Sequence, residues 1–162
     1  MSTPIRAAVI TASDACSRGE RADDSGAALV ELLLASGAEV VERRILSDDR
    51  EPLVQTLEAF AQRDDINLIL TTGGTGLGPR DNTPEATLQV IEHEVPGIAE
   101  AIRAESLKVT RMAMISRGVA GVTSGTLIVN LPGSPKAVRE SFAVIKSVLA
   151  HAVDLLAGQT RH

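Results

Sequence analysis

Apolar residues run along this chain in two rhythms. Short unbroken runs at 5–12, 66–72 and 126–131 contain many β-branched residues and are too short for helices, so they predict strands covered on both faces. The segment 40–46 alternates imperfectly and predicts another strand, and 113–116 predicts a short further one. Between these runs apolar positions recur at helical spacing: Leu29 and Leu33 with Leu34, Leu53 with Leu57 and Phe60, and Ile98 with Ile102 and Leu107. The longest such series is Val138, Phe142, Ile145, Leu149, Ala152 and Leu156. Helix starts are marked by Asp24 or Ser25, by Asp48 or Asp49, by Thr83 before Pro84, and by Ser134 before Pro135, while Gly37 marks a stop. The stretch 117–125 reads as flexible from its glycine content.

Strands alternating with helices over short connections predict a three-layer α/β/α sandwich with a mainly parallel central sheet. The 162 residues form one domain, 1–162, with no internal repeat, linker or low-complexity segment. Ligands of such sheets bind beyond the carboxyl ends of the strands. The loops there would gather Ser13, Asp14, Asp49, Asp81, Ser116, Arg117 and Asn130 around a glycine-rich loop.

That loop follows the strand at 66–72 and passes through Gly73, Gly74, Gly76 and Gly78 before reaching Asp81. Glycines let backbone N–H groups approach a ligand closely, which makes a cradle for phosphate. A Walker A loop would continue from its last glycine into Lys-Ser/Thr, but Gly78 is followed by Pro79-Arg80. A dinucleotide fingerprint counted from Gly74 and Gly76 needs a third glycine where Pro79 stands. A looser phosphate or pterin cradle survives both tests. Asp49 and Asp81 each follow a predicted strand, and two acids facing one cleft would repel unless a cation offset them. Mg²⁺ suits one or two carboxylates plus phosphate oxygens, and it suits phosphoryl or nucleotidyl transfer. From spacing alone, separate roles as helix cap and turn residue stand beside this reading.

Composition narrows the classes further. The single cysteine, Cys16, excludes an intramolecular disulfide, offers no metal-binding cluster and fits a reducing cytosol. It is a weak nucleophile candidate, because the histidines at 93, 151 and 162 are distant in sequence. No signal peptide is expected at the N-terminus, and no apolar run approaches the roughly 20 residues of a membrane helix. A net charge of −5 with Phe60 and Phe142 as the only aromatics argues against a nucleic-acid partner. A mononucleotide needs only a local pocket.

Four ordered motifs carry a family resemblance: Thr71-Thr-Gly-Gly-Thr-Gly76, Pro79-Arg-Asp-Asn-Thr-Pro-Glu-Ala-Thr87, Ala113-Met-Ile-Ser-Arg117 and Leu127-Ile-Val-Asn-Leu-Pro-Gly-Ser-Pro135. With the Thr11-Ala-Ser-Asp14 loop they span nearly the whole chain, which resembles the molybdopterin-binding Mog/MoaB family. The resemblance implies a three-layer α/β homotrimer in the cytoplasm, working in molybdenum cofactor biosynthesis. It implies that Mg²⁺-ATP adenylates the terminal phosphate of molybdopterin with release of pyrophosphate. By the same resemblance Asp49, with Asp48 beside it, is the essential acid after the second strand, and Asp81 is the second functional acid; both would hold Mg²⁺. Gly73, Gly74, Thr75 and Gly76 would line the ligand site, Ser13 and Asp14 would border it, and Ser116 matches a molybdopterin-binding serine. Asn130, Pro132, Gly133 and Ser134 would form the neighbouring wall. A molybdate-inserting enzyme is an expected partner. The chain ends soon after its last helix, as compact MoaB-type members do, so a non-catalytic pterin-binding protein or a scaffold is the alternative.

Overall fold

The computed structural model describes residues 2–160, so Met1, Arg161 and His162 lie outside the described residues. In chain order the elements are β1 (Arg6–Ala12), α1 (Asp14–Ser17), α2 (Asp24–Ala35), β2 (Glu39–Leu46), α3 (Arg50–Ala61), β3 (Leu68–Thr72), α4 (Thr83–Val90) and β4 (His93–Glu94). There follow α5 (Pro96–Leu107), a 3-10 turn (Arg111–Ile115), β5 (Ala120–Thr123), β6 (Thr126–Leu131) and α6 (Pro135–Leu156). One sheet runs in the order β2-β1-β3-β6-β5-β4. Its first four strands are parallel, and β5 and β4 close the far edge antiparallel.

Side chains on successive strand residues point to opposite faces, and this divides the interior into two cores. Ala7, Val9, Leu68, Leu70, Leu127 and Val129 meet α2, α5 and α6 through Leu29, Ile102 and Phe142. Ala8, Ile10, Ile69 and Ile128 meet α3 and α4 through Leu53, Leu57, Phe60 and Ala86. The expected sandwich with a mainly parallel sheet is the observed architecture. Among the described residues no helix is long and apolar enough to cross a membrane.

The strand expected at 113–116 is instead part of the 3-10 turn, with the Thr110 hydroxyl accepting the Met112 N–H at 3.2 Å. Met112 and Met114 stand exposed, so the segment lacks the two-sided cover of a sheet strand. The place beside β6 belongs to β5, in the stretch read as flexible. Ser124 and Gly125 join them with φ of 50° and 76°, the positive pair required by the tightest hairpin turns. Gly121 permits β4 to close on β5, because a Cβ there would stand 2.6 Å from the His93 carbonyl oxygen.

Two helix caps also differ from expectation. Asp23, not Asp24 or Ser25, caps α2 by accepting the Gly26 N–H at 3.0 Å. Thr83 lies inside α4, and its hydroxyl donates to the Gly73 carbonyl at 2.9 Å, tying the helix to the glycine loop instead of capping it. Asp49 occupies the cap position of α3 without a side-chain capping bond. Ser134 caps α6 as expected, accepting the Ala137 N–H at 3.2 Å.

Candidate functional site

Parallel strands deliver their following loops to one edge of the sheet, and the loops after β1, β2, β3 and β6 meet there. Gly73 has a φ of 92°, and a Cβ on it would lie 2.3 Å from the Ala12 carbonyl oxygen. A Cβ on Gly133 would stand 3.2 Å from the Gly73 Cα. Three backbone turns are thus packed directly on one another, and side chains at these points would force them apart.

In front of them is a cleft of about 410 Å³ whose walls include Ser13, Asp48, Gly73, Gly74, Asp81, Gly133 and Ser134. The first turns of α2, with Asp24 and Ser25, and of α6, with Pro135, complete it. Helix N-termini and close backbone turns both favour anionic ligands.

Asp48 is the acid of the second loop that faces this cleft. Its Oδ2 accepts the Asp14 N–H at 2.9 Å, while its own N–H donates to Asp14 Oδ1 at 3.0 Å, a reciprocal bracket between the β1 and β2 loops. Burial pushes the Asp48 carboxyl up; the bond from Asp14 opposes this, and the charges of Asp14 and Asp81 add to it. Asp49 points to the rim, where it is half exposed, pairs with Arg80 Nη1 at 2.8 Å and accepts the Ser47 hydroxyl at 3.0 Å. Asp81 also lines the cleft, with Oδ2 accepting the Gly78 N–H at 3.0 Å.

Arg80 links the rim. It donates to Asp14 at 2.9 and 3.1 Å as well as to Asp49, so one side chain of the glycine loop bridges the two neighbouring loops. Its bonds, followed by that from the Asp48 N–H, hold the Asp14 carboxyl down to about 2. A lowered acid stabilises the fold above its ordinary value near 3.8, and that contribution is lost as pH falls through the lowered value. In Arg80→Ala the Asp14 titration midpoint moves up toward 3.8, which carboxyl chemical shifts report directly.

The remaining expected site residues fall into other surroundings. Asn130 is buried beneath the cleft, where its amide donates to Thr71 and Thr87, both at 3.0 Å, and its carbonyl accepts the Val119 N–H. Ser116 and Pro132 line a separate hollow of about 180 Å³ beside Arg103 and Glu140. Thr75 and Gly76 offer their carbonyls to Arg117 at the back of the loop. The sequence reading gave Arg80 no role, although an arginine next to an acid in a glycine loop was the available signal.

Residues 8–151 match the family described as a probable molybdopterin binding domain. The chain belongs to this family. The Helicobacter pylori J99 molybdopterin adenylyltransferase is 38% identical over 156 residues, covering 95% of this chain and 89% of that protein. The Drosophila melanogaster molybdenum cofactor synthesis protein cinnamon is 44% identical over 149 residues, which are 91% of this chain but 25% of cinnamon. Among solved structures, the molybdopterin biosynthesis enzyme MoaB of Thermus thermophilus superposes with a TM-score of 0.89 at 47% identity, covering 95% of this chain and 97% of that one. In this molybdopterin-binding family member, the glycine loop and the cleft acids Asp48 and Asp81 therefore stand within the matched region.

Proposed function

We propose that this protein is a nucleotidyltransferase of molybdenum cofactor biosynthesis, a molybdopterin adenylyltransferase. A terminal phosphate oxygen of molybdopterin forms a bond to the α-phosphorus of ATP, the bond from that phosphorus to the bridging oxygen breaks, and pyrophosphate leaves. The observation that carries the reading is a single cleft that joins close-packed backbone turns, two helix N-termini and the carboxylates of Asp48 and Asp81. Relatives named molybdopterin adenylyltransferase support it.

The backbone around Gly73, Gly74 and Gly133 receives phosphate oxygens, and the fixed geometry of these turns orients them without reorganisation during reaction. No side chain acts as a covalent nucleophile. The donor set suits Mg²⁺, which takes one or two carboxylates and leaves its other positions to water and phosphate. Asp48 and Asp81 would hold it, since the half-buried Asp48 carboxyl is pushed up by surroundings that a cation would offset. When bound, the ion neutralises charge that develops on the transferring phosphoryl group. Asp49, expected from sequence as the first ligand, serves in this proposal to hold Arg80 at the rim. Ser116 and Pro132 supply a pterin-side surface across the turn that starts α6.

The protein acts in the cytoplasm as a homotrimer and passes its product to a molybdate-inserting enzyme. Exposed Val109, Met112, Met114 and Ile115 support burial of this apolar surface between subunits. Incubation with ATP, Mg²⁺ and molybdopterin is expected to release one pyrophosphate per adenylylated pterin, and EDTA is expected to abolish release. Pterin binding without pyrophosphate would assign the protein to the non-catalytic MoaB type instead.

A further inference from the structure

Behind the cleft, Arg117 touches the glycine loop at both ends while lining none of the cleft. Its backbone N–H donates to the Thr75 carbonyl at 2.8 Å, and its Nε donates to the Gly76 carbonyl at 2.8 Å. Its Nη2 donates to the Asp81 carbonyl at 2.9 Å, and its Nη1 pairs with Glu85 in the first turn of α4. Between these anchors Leu77 to Arg80 are exposed, and Arg80 is held at the rim by Asp14 and Asp49. The Gly78–Asp81 turn is closed by the Asp81 N–H donating to the Gly78 carbonyl and by the Gly78 N–H donating to Asp81 Oδ2, both at 3.0 Å.

We propose that Arg117 is a positioning residue that sets the glycine loop and the Asp81 carboxylate by holding the Gly76 and Asp81 carbonyls in one planar fork. This rests on the adenylyl-transfer reading for its catalytic consequence, though not for its structural content. A guanidinium presents donors in a fixed plane, so three acceptors on the loop and α4 acquire one mutual geometry. A lysine would keep the charge beside Glu85 but, with its donors on one flexible point, could not impose that plane. Arg117 is itself placed from outside the loop, because Arg103 of α5 donates to the adjoining Gly118 carbonyl at 2.7 Å. The 3-10 turn and β5, neither of which carries a proposed ligand of the phosphates, thereby become part of the machinery that aims Asp81.

The test compares wild type, Arg117→Lys and Arg117→Ala by amide exchange and by pyrophosphate release. In Arg117→Lys, exchange at Gly78 is expected to quicken by about tenfold or more while the β1 and β3 amides keep their protection. The kcat for pyrophosphate release is expected to fall on the order of 10²-fold, the scale of an ångström's misplacement. Millimolar guanidinium should return part of the rate to Arg117→Ala and none to Arg117→Lys. Wild-type exchange at Gly78 in Arg117→Lys would overturn the proposal, as would faster exchange with unchanged kcat. If Arg117→Ala fails to fold, Arg117→Lys decides alone. If the wild type releases no pyrophosphate, adenylyl transfer fails as a reading, while loop exchange in Arg117→Lys still accepts or rejects the positioning role.

Discussion

Asp48→Asn is expected to lower pyrophosphate release on the order of 10²–10³-fold, the loss that follows when one preorganised electrostatic contact is removed from a reacting centre. Asp49→Asn, its neighbour, is expected to lower it by less than about tenfold, in keeping with the small worth of an exposed ion pair. The two residues share a loop, a charge and nearly the same chain position, so any difference between the variants comes from where their carboxylates point. Asp48 faces the cleft and exchanges bonds with the backbone of Asp14, whereas Asp49 pairs with Arg80 at the rim. Asparagine retains an oxygen that can accept the Asp14 N–H, so the loop bracket persists and the charge alone is removed. Steady-state rates with thermal melts on both variants make the comparison. A large loss in Asp49→Asn beside a small one in Asp48→Asn would return the principal role to Asp49.

Asp23→Ala is expected to cost about 2–4 kcal/mol, the combined loss of a helix cap and of the acceptor for a buried hydroxyl. The Asp23 side chain is only 2% exposed yet bears a carboxylate, so its charge requires partners. It accepts from the Thr11 hydroxyl at 2.8 Å, from the Gly26 N–H at 3.0 Å and from Arg43 at 2.9 Å. These bonds join the end of β1, the start of α2 and the middle of β2. Alanine would leave the buried Thr11 hydroxyl and the first turn of α2 without their acceptor. For a domain of this size each kcal/mol moves Tm by about 2–4 °C, so a melt should fall by about 10 °C. A melt within about 2 °C of wild type would show that water replaces the carboxylate at little cost.

Runs such as 68–72 and 126–131 are buried on both faces, so they contain unbroken apolar and β-branched residues that identify central strands. β5 gave no such signal, since Ala120 and Gly121 are small where β4 and α4 press close. Ala113, Met114 and Ile115 have the composition of a strand, but their surroundings hold them in a 3-10 turn. Local composition cannot report a missing sheet neighbour. Similarly, Asn130 stands near the carboxyl end of β6 as a ligand residue would, but its amide is consumed by Thr71, Thr87 and Val119.

By itself the sequence determined the layered architecture, the strand-to-loop turns and the glycine-rich loop, because burial periodicity, capping residues and the steric freedom of glycine act over a few neighbouring positions. Its ordered motifs also indicated the family. Only the tertiary structure decided which of Asp48 and Asp49 enters the cleft, which arginine braces the glycine loop, and that Ser116 occupies a hollow of its own. Those outcomes depend on the direction of side chains from loops brought together by parallel strands, and that direction is set by contacts between residues as far apart as Gly76 and Arg117.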